Sequence, residues 1–260
     1  MKCHSIKYQF GGGGINISRV LKGLDIATLC IFPLVGNAGV HLKALLLEER
    51  IEPVLVPVTG WTRENLSVVD TQSGLQYRFG MPGNALSEAE LLTIKNLLSK
   101  NLNTNDILVL SGSLVEGMPL DYYSRLIKAM TGKKVKIIRD TSGAALREAL
   151  KENVYLIKPN QRELAQLSES DFLSTEEQEA FALELIKSRK AKYVAVSLGA
   201  RGAFIASEES IHYQTTPSII AKSTIGAGDS MVAGLVYAII NKCTAKTMLK
   251  WGLPVVLRLR

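Results

Sequence analysis

The sequence predicts an α/β fold in which a mostly parallel sheet carries helices on both faces, with a small antiparallel sheet set apart. Three observations predict it. From Ser87 onward, short apolar strands alternate with helical periods. Between Ile51 and Met81, β runs follow one another with no helix among them. Clusters of small and polar residues at 111–113, 140–143, 158–163 and 197–199 come directly after predicted strands. Open α/β sheets bind ligands beyond the C-terminal ends of their strands, so the third observation also points to a site. The chain has 260 residues, 47% hydrophobic and 21% charged, which is enough for a single domain over 1–260 with a small lid.

Taken in order, Gly11-Gly12-Gly13-Gly14-Ile15-Asn16 leads into a helix, apolar at 15, 17, 20 and 21, that stops at Gly23. Four glycines keep side chains from standing between backbone and ligand, and Asn16 brings a donor and an acceptor. Residues 26–32 read as a buried strand and 40–49 as a helix. The runs at 54–56, 66–69 and 75–79, with turns at Thr59-Gly60 and Ser73-Gly74, are expected to form the small antiparallel sheet. Such a sheet standing over a site is a lid. Arg63, at one of its turns, is a candidate phosphate clamp. Helices follow at 86–98, 120–130, 146–150 and 175–187, strands at 107–110, 135–138, 154–157 and 193–196, and a hairpin at 202–214.

The stretch Ser223-Thr224-Ile225-Gly226-Ala227-Gly228-Asp229-Ser230 precedes apolar positions 231, 232, 235, 236, 239 and 240, so a helix begins near Ala227. Free N–H groups at a helix start, with the positive end of its dipole behind them, form an anion site. An aspartate there is repelled by a bound phosphate unless it takes a proton from a hydroxyl attacking that phosphate. Phosphoryl transfer to an alcohol is the chemistry this motif suggests. Alone, the same four residues also read as a Gly-rich turn capped by Asp.

The formal net charge of +7 suits anionic partners. Basic residues are dispersed, without a Lys/Arg block interleaved with aromatics, so small anions are expected rather than nucleic acid. Cys3, Cys30 and Cys243 show no paired spacing, which predicts a reducing cytoplasm without disulfides or zinc. The sequence carries no apolar run of membrane-spanning length and no signal-peptide core, so no membrane partner is expected. A dinucleotide-binding oxidoreductase is excluded because no G-x-G-x-x-G follows a first strand.

G-G-G-G-I-N at 11–16, K-P-N-Q-x-E at 158–163 and T-I-G-A-G-D-S-M at 224–231 together resemble the ribokinase-like (PfkB) family of sugar kinases, over about 11–253. W-T-R-E-N at 61–65, Y-R-F-G-M-P-G at 77–83 and S-G-S-L at 111–114 are similar to its sugar-phosphate branch. The nearest subgroup is the bacterial minor-isozyme 6-phosphofructokinases, with 1-phosphofructokinase and tagatose-6-phosphate kinase left open. The resemblance implies a ribokinase-like three-layer α/β/α fold, with a β lid from about 51–81 and residues before 11. It implies ATP as co-substrate, Mg²⁺ as cofactor, and phosphorylation of fructose 6-phosphate to fructose 1,6-bisphosphate. By the same resemblance, Asp229 is the general base and Gly226, Ala227 and Gly228 hold the transferring group. Gly12, Gly13 and Asn16 bind sugar hydroxyls, while Arg63 and Ser113 hold the phosphate already on the sugar. Lys158, Asn160, Ser197, Gly199 and Thr224 line the nucleotide, and Glu163, with Asn160, organises the metal through water. The lid doubles as a homodimer interface in relatives.

Members of the family begin with a strand carrying a sugar-binding Asp. Here ten residues precede Gly11 and none is Asp. Pro254 interrupts the helix expected after 250–253. The resemblance therefore implies a kinase shortened at both ends. It leaves two expectations, an active kinase and a remnant that binds sugar phosphate without turnover.

Overall fold

The computed structural model of the chain describes residues 3–216 and 226–253. The expectations that rest on Thr224 and on Pro254 lie outside these residues. In chain order the elements are α1 (Gly13–Lys22), β1 (Cys30–Pro33), α2 (Gly36–Glu48), β2 (Pro53–Val56), β3 (Leu66–Val69), β4 (Gln76–Phe79), α3 (Glu88–Asn101) and β5 (Ile107–Ser111). They continue with α4 (Tyr122–Met130), β6 (Lys136–Asp140), α5 (Gly143–Ala149), β7 (Val154–Ile157), α6 (Gln161–Leu167), α7 (Thr175–Lys187) and β8 (Ala191–Ser197). The last are β9 (Ala203–Ala206), β10 (Ile211–Gln214), α8 (Ala227–Ile240) and α9 (Ala245–Gly252).

The main sheet has the order β10-β9-β8-β7-β6-β5. Strands β5 to β8 are parallel, and β9 and β10 fold back antiparallel. Side chains alternate across it, because successive strand residues point to opposite faces. Ile137, Val194, Val196 and Phe204 pack with α3 to α7 on one face. Ile138, Leu156, Ala195 and Ile205 pack with α1, α8 and α9 on the other. This is the three-layer ribokinase-like arrangement. Helices α3, α6 and α7 start with capping boxes, Ser87 with Glu90, Asn160 with Glu163 and Ser174 with Glu177. Each box satisfies two otherwise orphaned N–H groups and fixes where its helix begins.

The small antiparallel sheet is present, but it consists of β3 and β4 alone. The run at 54–56 is instead part of β2, which pairs in parallel with β1. The reason lies upstream: β1-α2-β2 is a crossover unit whose helix precedes the run, so no helix was needed after it. Residues 3–10 contribute no strand; Phe10 carries the Arg19 guanidinium 3.8 Å above its ring. Among the described residues β1 pairs only with β2, and β5 only with β6. Both strands line an apolar cavity of about 1070 Å³ whose lining also includes residues of α1, α3, α4 and α8.

Candidate active site

Helices α1 and α8 pack together with their first turns side by side, which brings the glycine run against the G-A-G-D motif. Gly226 precedes α8 with φ 78°, a left-handed conformation that glycine adopts without strain. The first helical bond of α8 runs from the Ser230 N–H to the Gly226 carbonyl, so the N–H groups of its first turn lack intrahelical acceptors. Asp229 stands in that turn, and the Asn16 Nδ2 donates to its Oδ2 at 2.8 Å. Gly13 is approached closely from both β5 and α8. A Cβ on Gly13 would lie 2.2 Å from Ser111 Oγ and 3.0 Å from Asp229 Oδ1.

Burial pushes the Asp229 pKa above the ordinary carboxylate value. The Asn16 hydrogen bond opposes the shift, Asp140 adds to it by like charge, and Lys158 opposes it. Lys158, only 6% exposed, holds its Nζ 3.2 Å from Asp140 Oδ1. Ser111 Oγ donates to the other Asp140 oxygen at 3.3 Å. A buried ammonium is thus matched to a carboxylate close to Gly228, where a Cβ would stand 3.4 Å from Nζ.

Asp229 opens onto a cavity of about 450 Å³, whose lining also includes Ser113 of the β5 loop and Arg78 of β4. The β3–β4 register explains how Arg78 arrives there. Leu66 lies opposite Phe79 and Val68 opposite Tyr77, so these four share one face. Ser67 and Arg78 share the other. Asp140, Thr141 and Glu163 also line this cavity. Glu163 Oε2 also accepts from the Asn160 N–H at 2.8 Å.

Several expected site residues converge here: Gly13, Ser113, Glu163 and Asp229 line the cavity, and Asn16, Gly226, Gly228 and Lys158 stand behind it. Gly12, with φ 97°, lines the larger apolar cavity instead. Asn160, Ser197 and Gly199 sit at the C-terminal ends of β7 and β8, outside the cavity lining, with Asn160 and Ser197 joined by a parallel bridge. Arg63 does not line the cavity; its Cδ is 3.8 Å from where a Cβ on Gly83 would stand. Arg78, Ser111, Asp140 and Thr141 were not assigned roles from the sequence. Asp140 sat in a polar cluster after a strand, and the strict alternation of β4 was the signal available for Arg78.

A carboxylate whose affinity for a proton is raised, set among free helix amides and a buried lysine, can deprotonate an alcohol next to a bound phosphate. The fold and the site therefore define a phosphotransferase with an alcohol acceptor. Residues 1–254 match the family described as pfkB family carbohydrate kinase, and the chain belongs to that family. It is 37% identical over 253 residues to ATP-dependent 6-phosphofructokinase isozyme 2 of Escherichia coli, covering 97% of this chain and 82% of the relative. It is 35% identical to 1-phosphofructokinase of Borreliella burgdorferi, covering 93% and 78%. The crystal structure of Escherichia coli phosphofructokinase-2 in complex with fructose 6-phosphate superposes with a TM-score of 0.92 over 97% of this chain and 82% of that one.

Proposed function

We propose that this chain transfers the terminal phosphoryl group of ATP to a hydroxyl of a sugar phosphate, with fructose 6-phosphate as acceptor and fructose 1,6-bisphosphate as product. The observation that carries the reading is Asp229, held by Asn16 and opening onto a 450 Å³ cavity that also takes Arg78 and Ser113. A phosphate on the sugar is held at Arg78 and Ser113, and the acceptor hydroxyl of the same sugar meets Asp229 in the same cavity. Asp229 accepts the hydroxyl proton as the oxygen attacks. The first-turn amides of α8 and the Lys158 ammonium stabilise the transferring group. Glu163 and Asp140 both line the cavity, and their carboxylate oxygens are donors of the kind a hard divalent cation takes beside phosphate and water. Bound there, Mg²⁺ would neutralise charge on the nucleotide phosphates.

A second reading, an acceptor of the 1-phosphofructokinase kind, is favoured by the similarity to the Borreliella burgdorferi relative. We further infer a homodimer through the lid, because Leu66, Tyr77 and Phe79 on its outer face are each more than half exposed. The reading is of a cytoplasmic enzyme, in keeping with three free cysteines.

The test is a coupled ADP-release assay with fructose 6-phosphate, fructose 1-phosphate and tagatose 6-phosphate, with Asp229→Asn as the blank. Turnover of fructose 6-phosphate that vanishes in the variant supports the reading. Binding of sugar phosphate without turnover in well-folded protein would replace it with the non-catalytic one.

A further inference from the structure

One residue in the core breaks a rule of burial without touching the cavity. Arg139, in β6, is fully buried. Its Nη1 donates to the Leu110 carbonyl at 2.7 Å, while Nε and Nη2 have no hydrogen-bond partner of normal geometry. Burying a guanidinium with unused donors is unfavourable, and burial pushes its pKa down to about 10. An apolar residue of similar length would serve the core at least as well.

The contacts of Arg139 lead to the β5 loop. Its guanidinium carbon lies 3.4 Å from the centre of the Tyr123 ring, a cation–π stack. The Tyr123 hydroxyl donates to the Gly112 carbonyl at 3.0 Å, and Thr141 Oγ1 donates to the same carbonyl at 2.7 Å. The Gly112 N–H donates to the Asp140 carbonyl at 3.0 Å. Gly112 itself has φ 104°, so its carbonyl direction is not fixed by ordinary strand geometry. On either side stand Ser111 and Ser113, both lining the cavity with Asp229.

We propose that Arg139 is a positioning residue for sugar-phosphate binding: by stacking on Tyr123 and bonding Leu110, it orients the Tyr123 hydroxyl that sets Gly112, and so the Ser111–Ser113 loop. The kinetic consequence rests on the kinase reading; the conformational one does not. Arg139→Met removes the charge and the stack but keeps volume, Tyr123→Phe removes only the hydroxyl, and Arg139→Lys keeps a donor and a cation.

The experiment measures hydrogen exchange over 107–118, the KM for each substrate, kcat, and Tm in the full chain, for these variants and the Met/Phe double variant. Faster exchange at 111–113 is expected in both the Met and the Phe variant. The KM for sugar phosphate rises about tenfold in each, because the loop is displaced rather than lost. The KM for ATP stays within about twofold, and the double variant within about twofold of the worse single one, as one linked path requires. Arg139→Lys, which keeps a donor and a cation but not the planar stack, recovers only part of the loss, and Arg139→Met keeps or raises Tm. Unchanged exchange and KM with a lower Tm would make Arg139 a mere core residue and overturn the proposal. So would additive effects in the double variant. If Arg139→Met does not fold, Tyr123→Phe and Arg139→Lys decide the question. A parent chain without turnover would remove the kinase reading, and exchange at 111–113 would still decide this one.

Discussion

Gly13→Ala is the most exacting test of how closely α1 is set against β5 and α8. Position 13 is the first residue of α1, where alanine favours the helix over glycine by about 0.5–1 kcal/mol. On local grounds the variant should be slightly more stable. The added Cβ, however, would meet Ser111 Oγ at 2.2 Å, about 1.1 Å inside the ~3.3 Å approach of even a weak C–H···O contact. It would also meet Asp229 Oδ1 at 3.0 Å, which requires a shift of a few tenths of an ångström. Ser111 Oγ relieves its overlap by turning about χ1, at the expense of its 3.3 Å hydrogen bond to Asp140. That bond is long, so the global cost is small and Tm should move by no more than about 4 °C. Catalysis is less forgiving. With Asp229 displaced from the acceptor and Ser111 turned, kcat/KM should fall about 100-fold, or ~2.7 kcal/mol of transition-state stabilisation. The assay is coupled ADP release with fructose 6-phosphate, with Tm measured on the same samples. Adding Ser111→Ala should recover part of the loss, since the Ser111 Cβ stands an acceptable 3.4 Å away. Near-parental kcat/KM in Gly13→Ala, or a loss accompanied by unfolding, would refute this account of the site.

Asp229→Asn should lower kcat by about 10²–10⁴ while sugar-phosphate binding survives, as titration calorimetry would reveal. Its stability effect has a defined sign. Burial raises the Asp229 pKa in the folded chain, so the ionised carboxylate is a penalty that appears as pH rises through the folded value and is absent below the unfolded one. Asp229→Asn should therefore raise Tm at pH 8, with the gap narrowing as pH falls towards 4; a constant gap would contradict the assignment. Arg78→Ala should raise the KM for the sugar phosphate at least tenfold, about 1.4 kcal/mol, whereas Arg63→Ala should change it little. The reverse order would put the clamp at Arg63. The paired change Tyr77→Glu with Phe79→Glu on the outer lid face should convert a dimer to monomer by light scattering, and a parent that is already monomeric at assay concentration would refute the lid interface.

The fold was legible where a periodic pattern carried it. The alternation from α3 to β8 could be followed because each strand is a short apolar run and each helix keeps its stripe. Pattern failed at 54–56, where an apolar run of three residues has no period of its own. Whether it pairs with β1 or with β3 depends on the crossover through α2, a non-local fact. The glycine run and G-A-G-D were legible because unusual local chemistry, bare backbone followed by an acid at a helix start, has few structural uses.

The arginines show why the rest of the site was not legible. Arg63 and Arg78 both belong to the segment from Ile51 to Met81, and by residue type either could grip a phosphate. What separates them is the face each occupies. Arg78 sits opposite Ser67, on the side of a two-stranded ribbon away from Tyr77 and Phe79, and that side meets the cavity. Only the pairing register supplies this, since a shift by one residue would exchange the faces and present Tyr77 and Phe79 to the sugar instead. The same register leaves Leu66, Tyr77 and Phe79 exposed. A ribbon of two short strands is marginal by itself in water, so a partner covering those side chains would hold the register that keeps Arg78 at the site. Lid pairing and phosphate recognition are in this sense one property of β3 and β4. A lid variant that loses the apolar face should therefore weaken sugar-phosphate binding along with any association.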